Sequence, residues 1–259
     1  MYETIDLEIE DRIAYLTIDR PEEHNSATPQ LFEDMVDGVA EIEESDARVV
    51  IFTGAGDEAF SAGVNIPGFE DADIETVRDA YHYATDPVLK SFEVLEEIPI
   101  PVIAVVNGFA YGFGMGITLP CDIVIASDQS EFRLPEVEWG LVPVDSLMRG
   151  IDIAGRRVIS YYALTNEPIP PQEAKSTGLV NEVVPHDELY DRADELAEII
   201  LDKAPLAQEY IKRILNIESG YEYEWGAEVL SAVLLSEELE EGVNAFKENR
   251  NPDFEMLYD

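Results

Sequence analysis

Three short runs of unbroken apolar residues constrain this chain more than any other feature: Val49-Val50-Ile51-Phe52, Val102 to Val106, and Ile123-Val124-Ile125. Each is strand-length and leaves no polar face for water, so each reads as a strand inside a core. The first runs into Thr53-Gly54-Ala55-Gly56 and the second into Asn107-Gly108, both of which are turn chemistry. Ile5 to Glu10 and Ile13 to Ile18 read as two more strands around an Asp11-Arg12 turn. The alternation Ile13, Tyr15, Thr17 suits a sheet with one covered face. Leu179 to Val184 reads as a further strand. Thr28-Pro29 supplies a capping hydroxyl and a proline for the first helical position, and Leu31, Met35, Val39 and Ile42 keep helical spacing behind it. From about Asp187 onward the pattern is helical. Leu189, Leu196, Ile199 and Ile200 mark one helix, and Leu206, Tyr210, Ile214 and Leu215 after Pro205 mark a second. Trp225 to Phe246 makes a third, with Val229, Val233 and Leu234 on one face. The expectation is an α/β or α+β core followed by terminal helices, without internal repeats.

The formal charge narrows the partners. Fifty-six Asp and Glu face 16 Lys and Arg, a net charge of −40. Such a chain has no basic footprint for duplex nucleic acid or RNA, and an anionic membrane surface repels it. One cysteine, Cys121, excludes a disulfide scaffold, and 46% hydrophobic residues exclude disorder. The acids are spread along the chain and only five Lys occur. Self-repulsion at that charge weakens a compact state in dilute buffer, whereas at molar salt the Debye length falls to roughly 3 Å. The composition resembles proteins of salt-loving organisms with a salty cytoplasm; a merely acidic protein is the plainer reading. Met1-Tyr2-Glu3 opens no targeting segment, and no apolar stretch approaches the roughly 20 residues that span a bilayer. A cytoplasmic protein is expected.

Two glycine-bearing segments follow apolar strands: Ala59-Phe60-Ser61-Ala62-Gly63-Val64-Asn65-Ile66, and Asn107-Gly108 through Gly112-Phe113-Gly114-Met115-Gly116. A loop that turns into a helix leaves N–H groups aimed outward, and two such loops can aim two N–H groups at one carbonyl oxygen. On spacing alone, close backbone packing with no ligand is the stronger reading. No Lys-Ser/Thr follows, so this is not a phosphate-cradling Walker loop, and Gly112-Phe113-Gly114 is only a partial dinucleotide signature.

Taken together, several stretches resemble the crotonase (enoyl-CoA hydratase/isomerase) superfamily in order and spacing along nearly the whole chain. They are Asp19-Arg20-Pro21-Glu22 with Asn25-Ser26-Ala27; Thr53 to Gly56 running to Phe60-Ser61-Ala62-Gly63-Val64-Asn65; and Ile103 to Gly108 with its glycine loop. Cys121-Asp122-Ile123 to Ser127, Phe132-Arg133-Leu134-Pro135-Glu136 to Pro143, Ala174 to Asn181, and Glu241-Gly242 to Phe246 follow. The resemblance implies a crotonase-like spiral of strand-strand-helix repeats over 1–200 and a helical oligomerisation segment over 201–259 that builds a homotrimer or homohexamer. It implies an acyl-CoA thioester substrate and no cofactor besides the coenzyme A of that substrate. It places the oxyanion hole at the N–H groups of Val64 and Phe113. Most relatives carry Gly where Phe113 stands, so here a benzyl group needs room.

The resemblance also assigns the acid/base. Hydratases of the family use two Glu; one matches Glu136, and the other falls on Gly116, which has no proton to move. Two carboxylates serve water addition, whereas one suffices to shuttle a proton between two carbons. Mitochondrial-type 3,2-enoyl-CoA isomerases are similar in this respect, and Val144-Asp145-Ser146-Leu147 also replaces the Gly-Ala-Gly-Gly run of hydratases. Isomerisation is therefore expected ahead of hydration. Asp145 lies one position beyond a working Asp of some relatives and is a candidate second acid or nucleophile, which keeps thioester hydrolysis or decarboxylation open beside a non-catalytic CoA-ester-binding subunit. Arg20, His24, Ala62, Val64, Asn65, Ile66 and Lys247 are the candidate coenzyme A contacts. Glu138 reads as a surface group on a strand, Tyr111 and Trp139 as pocket wall or core, and Cys121 as a small core residue. His24, His82 and His186 show no metal spacing, and His186 reads as part of a surface turn.

Overall fold

The computed structural model describes residues 2–65, 85–139 and 141–216, together with Glu237, Glu241, Asn244, Ala245, Glu248, Arg250 and Asp253. The expectations for Ile66, His82, Lys247, the Trp139 side chain and the helix over 225–246 fall outside the described residues.

A six-stranded sheet carries the molecule. Its strands are β1 (Ile5–Glu10), β2 (Ile13–Ile18), β3 (Val49–Gly54), β5 (Val102–Val106), β7 (Ile123–Ser127) and β9 (Glu182–Val184), in that spatial order. β1 and β2 are antiparallel around Asp11 and Arg12, which both have positive φ, as a two-residue hairpin turn requires. All other neighbours are parallel. The unbroken apolar runs are explained by two covers. Val50, Phe52, Ala104 and Val106 pack on one side, in the main core. Val49, Ile51, Ile103 and Val105 face the other side, under the helix Leu189–Leu201. Alternate residues thus meet two different apolar layers, and no polar position is needed.

A second, three-stranded parallel sheet is built from β4 (Ala59–Ser61), β6 (Phe109–Tyr111) and β8 (Glu131–Arg133). Each of its strands follows a strand of the large sheet, so the chain repeats a strand-strand unit three times, with helices between, as expected. Helix α1 (Pro29–Glu43) begins where its cap predicts: the Leu31 N–H donates to Thr28 Oγ1 at 3.3 Å, and Leu31, Met35, Val39 and Ile42 are all buried. Helix α2 (Asp86–Glu97) packs beside α1, and α3 (Phe113–Gly116) is a single turn.

Four expectations need correction. The strand near residue 180 covers only Glu182–Val184. Upstream of it the Asn181 side chain, rather than a strand backbone, accepts the Val124 N–H at 2.8 Å. Glu138 is exposed but belongs to a 3-10 turn, Pro135–Trp139, not to a strand. In Leu189–Leu201 the buried face is Leu189, Ala193, Ala197 and Ile200, while Ile199 is 50% exposed. In Pro205–Leu215 the buried residue is Lys212, and Leu215 is 73% exposed. In both helices the face that is buried follows from the segment the helix packs on, the central strands for Leu189–Leu201 and the Leu95, Ile100 and Asp122 acceptors for Pro205–Leu215, which spacing alone leaves open.

Candidate active site

The two glycine-bearing loops meet at one place. Gly63 has φ +97°, and its carbonyl accepts the Ala27 N–H at 2.8 Å. The peptide is planar and trans, so the Val64 N–H points the opposite way, away from Ala27. That N–H has no acceptor among the described residues. Gly112 has φ +53°, and its carbonyl accepts the Gly116 N–H at 2.9 Å along the axis of α3. The Phe113 N–H therefore projects from the start of that helix, where no intrahelical acceptor exists. The loops abut: a methyl group built on Gly63 would stand 2.9 Å from the Tyr111 carbonyl and 3.7 Å from the Phe113 nitrogen. Two backbone donors are thus presented by neighbouring loops, and both Val64 and Phe113 line a cavity of about 410 Å³.

The Phe113 ring does not occupy that space at the expense of the donor. It is buried and packs edge-on to Phe32 at 5.3 Å and tilted against Phe92 at 5.4 Å. An aromatic slot supplied by α1 and α2 gives the benzyl group its room.

Glu136 lines the same cavity. Its Oε1 would stand 3.0 Å from a methyl built on Gly112, so the carboxyl lies against the start of α3. Its Oε2 is buried with no hydrogen-bond partner among the described residues. Burial pushes its pKa up from the ordinary carboxylate value, only partly opposed by a backbone hydrogen bond. An acid/base that must accept a proton and give it back benefits from that shift.

Asp145 also lines the cavity, so a second carboxylate shares the space with Glu136. It stands in the first turn of α4 (Val144–Ala154). Arg149 Nε donates to both of its oxygens, at 3.2 and 3.1 Å, and Arg149 Nη1 donates to Glu96 at 2.5 Å. Burial raises the Asp145 pKa and the Arg149 guanidinium works against that rise. Gly116 is hemmed in by this wall. A methyl there would meet Ser146 Oγ at 2.8 Å and the Phe92 ring at 3.2 Å, so the position holds no larger side chain without displacing both.

The other candidates are distributed as follows. Ala62, Val64 and Asn65 lie on a short ladder with the His24–Ala27 segment: the Ala62 N–H donates to the His24 carbonyl at 2.9 Å and the Asn65 N–H to the Ala27 carbonyl at 2.7 Å. Of these three only Val64 lines the cavity. Arg20 and His24 do not line it. Arg20 Nε donates to the Ser26 carbonyl at 3.2 Å, and the His24 ring is half-exposed, 3.6 Å from the Glu58 carboxylate. Tyr111 is neither deep core nor cavity wall; its hydroxyl donates to Glu131 Oε1 at 2.5 Å. Cys121 packs against the core and its thiol donates to the Ile117 carbonyl at 3.4 Å. His186 sits in a 3-10 turn, its Nδ1 3.0 Å from Ser127 Oγ. No cluster of three metal-ligating side chains occurs among the described residues, and none of their helices is long and apolar enough to cross a membrane.

Residue-by-residue reading missed one wall of the cavity: Val88, Leu89 and Phe92 from α2, and Ser146 beside Asp145. The i, i+4 pair Val88 and Phe92 is the signal that marks α2 as amphipathic. Nothing local links that face to the glycine loops.

Comparison with known proteins agrees in fold and sequence. Residues 8–256 match the family model described as enoyl-CoA hydratase/isomerase. The chain is 33% identical over 252 residues to the short-chain-enoyl-CoA hydratase of Clostridium acetobutylicum, covering 94% of each protein. It is 34% identical over 259 residues to the (E)-benzylidenesuccinyl-CoA hydratase of Thauera aromatica, covering 96% of this chain and 98% of that one. Its fold is similar to the crystal structure of an enoyl-CoA hydratase from Bacillus anthracis, with a TM-score of 0.88, 29% identity, and coverage of 97% and 99%.

Proposed function

Because the chain belongs to the enoyl-CoA hydratase/isomerase family, we propose that it acts on acyl-CoA thioesters, with Glu136 as the acid/base and isomerisation of 3-enoyl to 2-enoyl thioesters as its reaction. The observation that carries this reading is the cavity itself. Two backbone donors and one buried carboxyl oxygen, all without partners among the described residues, line one mainly apolar space. A thioester carbonyl placed there accepts the Val64 and Phe113 N–H groups, which stabilise the negative charge that grows on its oxygen. Glu136 as carboxylate takes a proton from C2 of the 3-enoyl chain and forms the dienolate. As the acid it returns the proton to C4, and the double bond moves to C2–C3. Apolar side chains at Val88, Leu89 and the buried Phe92 line the space that receives the dienolate. Coenzyme A enters as part of the substrate and no other cofactor is required.

Hydration is the second reading. Asp145 in the same cavity and the hydratase names of the relatives both favour it. The test is to supply purified protein at molar salt with a 3-enoyl-CoA and, separately, with crotonyl-CoA. Isomerisation of the first, lost in Glu136→Gln, is expected. Hydration of crotonyl-CoA that survives Glu136→Gln overturns the mechanism. Self-association as a homotrimer or homohexamer belongs to the same proposal. It is supported by Val144, Met148 and Ile151, exposed on successive turns of α4, and light scattering measures it.

A further inference from the structure

Helix α3 lies beside the cavity, which its Phe113 lines. At its start Gly112 faces Glu136, whose Oε1 would stand 3.0 Å from a methyl on Gly112. At its end Gly116 faces Ser146, whose Oγ would stand 2.8 Å from a methyl there. The Ser146 end is polar in a way the reaction does not use. Asp145 lines the cavity next to Ser146, held by Arg149, which is held in turn by Glu96. Two carboxylates share one guanidinium, so the group carries excess negative charge and has acceptor capacity to spare; a carboxylate offers about four lone-pair sites. Ser146 Oγ makes no hydrogen bond to any described residue. Leu89, Phe92, Val142 and Val144 add apolar surface to the same cavity.

An entirely apolar acyl group that fills this space strips water from Asp145 and Ser146 and offers nothing in return. The Asp145 lone pairs that Arg149 does not use, and the Ser146 hydroxyl, then lose their water partners at a cost, and a site with such groups discriminates for a ligand that brings a hydroxyl. We propose that Asp145 and Ser146 form a specificity subsite for a hydroxyl group on the acyl chain, in the same cavity as Glu136. The substrate class is then a hydroxylated acyl thioester, with the hydroxyl on a ring or at a chain end. This inference rests on the acyl-CoA reading above.

The experiment measures binding rather than turnover, so it does not depend on which reaction the site runs. Isothermal titration compares two matched pairs of saturated thioesters: 3-phenylpropanoyl-CoA with 3-(4-hydroxyphenyl)propanoyl-CoA, and hexanoyl-CoA with 6-hydroxyhexanoyl-CoA. The expected result is tenfold or tighter binding of the hydroxylated member in at least one pair, and the pair that shows it tells whether a ring or a chain carries the hydroxyl. In Asp145→Ala that preference falls below twofold, and in Ser146→Ala it falls several-fold. Equal or weaker binding of both hydroxylated thioesters by the unaltered protein overturns the subsite, whatever the variants do. A preference that persists in both variants overturns it as well. Failure of the acyl-CoA reading shows differently, as no binding of any of the four thioesters, and takes the subsite with it.

Discussion

Lys212 and Glu136 both bury an ionisable group, and the fold treats them in opposite ways. The Lys212 side chain is 4% exposed, and its ammonium has three partners: Asp122 Oδ2 at 2.8 Å, the Leu95 carbonyl at 3.0 Å and the Ile100 carbonyl at 3.1 Å. Its three donors are all used, which is the condition under which a buried charge is tolerated. Asp122 also accepts the Val102 N–H at 2.8 Å, so the pair ties the helix Pro205–Leu215 to the edges of two central strands. Glu136 has a buried oxygen with no described partner and a pKa raised by that burial. A charge matched donor for acceptor holds the chain together; one left unmatched beside a cavity is free for chemistry.

Four substitutions break or sharpen that contrast, in falling order of effect. Glu136→Gln removes the proton carrier and should lower kcat/KM by about 10²- to 10⁴-fold, read from steady-state kinetics on the 3-enoyl thioester. In the unaltered enzyme kcat/KM should rise as pH climbs through the raised pKa of Glu136, because the carboxylate is the base. The same variant should melt higher than the parent at neutral pH. Folding favours the protonated form of this carboxyl more than the unfolded chain does, so its stabilising contribution is whole below the unfolded pKa and fades as pH rises through the folded one. Gln stays neutral and escapes that loss, and the gap between the two melting curves should close in acid. A variant that melts lower at neutral pH would show that the Glu136 carboxylate is structural after all.

Lys212→Met should do the reverse, costing about 3–5 kcal/mol in denaturant unfolding because Asp122 keeps its charge without its partner. A loss below about 1 kcal/mol would erase the distinction. Gly116→Ala drives a methyl against Ser146 and Phe92 and should cost about 1–3 kcal/mol. It disturbs the wall around Glu136 without touching the carboxyl, so KM should rise while the pH profile keeps its position. Thr28→Ala removes only the cap of α1 and should cost about 1 kcal/mol in the same unfolding measurement, with kcat/KM unmoved.

How far the molecule could be read beforehand differs from element to element. Helix α1 was legible because its cap, its proline and its apolar spacing all act within a few residues of one another. The buried strands were legible because a run without polar positions has few other places to go. Gly63 and Gly112 were visible as turn residues, and the family pattern turned them into a site. Glu136 was singled out by the family pattern alone, and the backbone that carries it is a 3-10 turn. The faces of the two later helices were misjudged at Ile199 and Leu215, since a stripe with several apolar neighbours can be rotated by a residue to suit its partner. Phe113 looked like an obstruction until Phe32 and Phe92, from two separate helices, proved to form its slot.

The sequence by itself determined where the chain turns and which strands are buried. Those properties rest on backbone dihedrals, side-chain alternation and hydrogen bonds to near neighbours. Only the tertiary structure decided that Asp145 shares the Glu136 cavity, that Ser146 and Phe92 fill the space beside Gly116, and that among the described residues Lys212 is fully satisfied while Glu136 is not. Each of these depends on which distant segments the sheets bring together, and a hydrogen bond has no partner until packing supplies one.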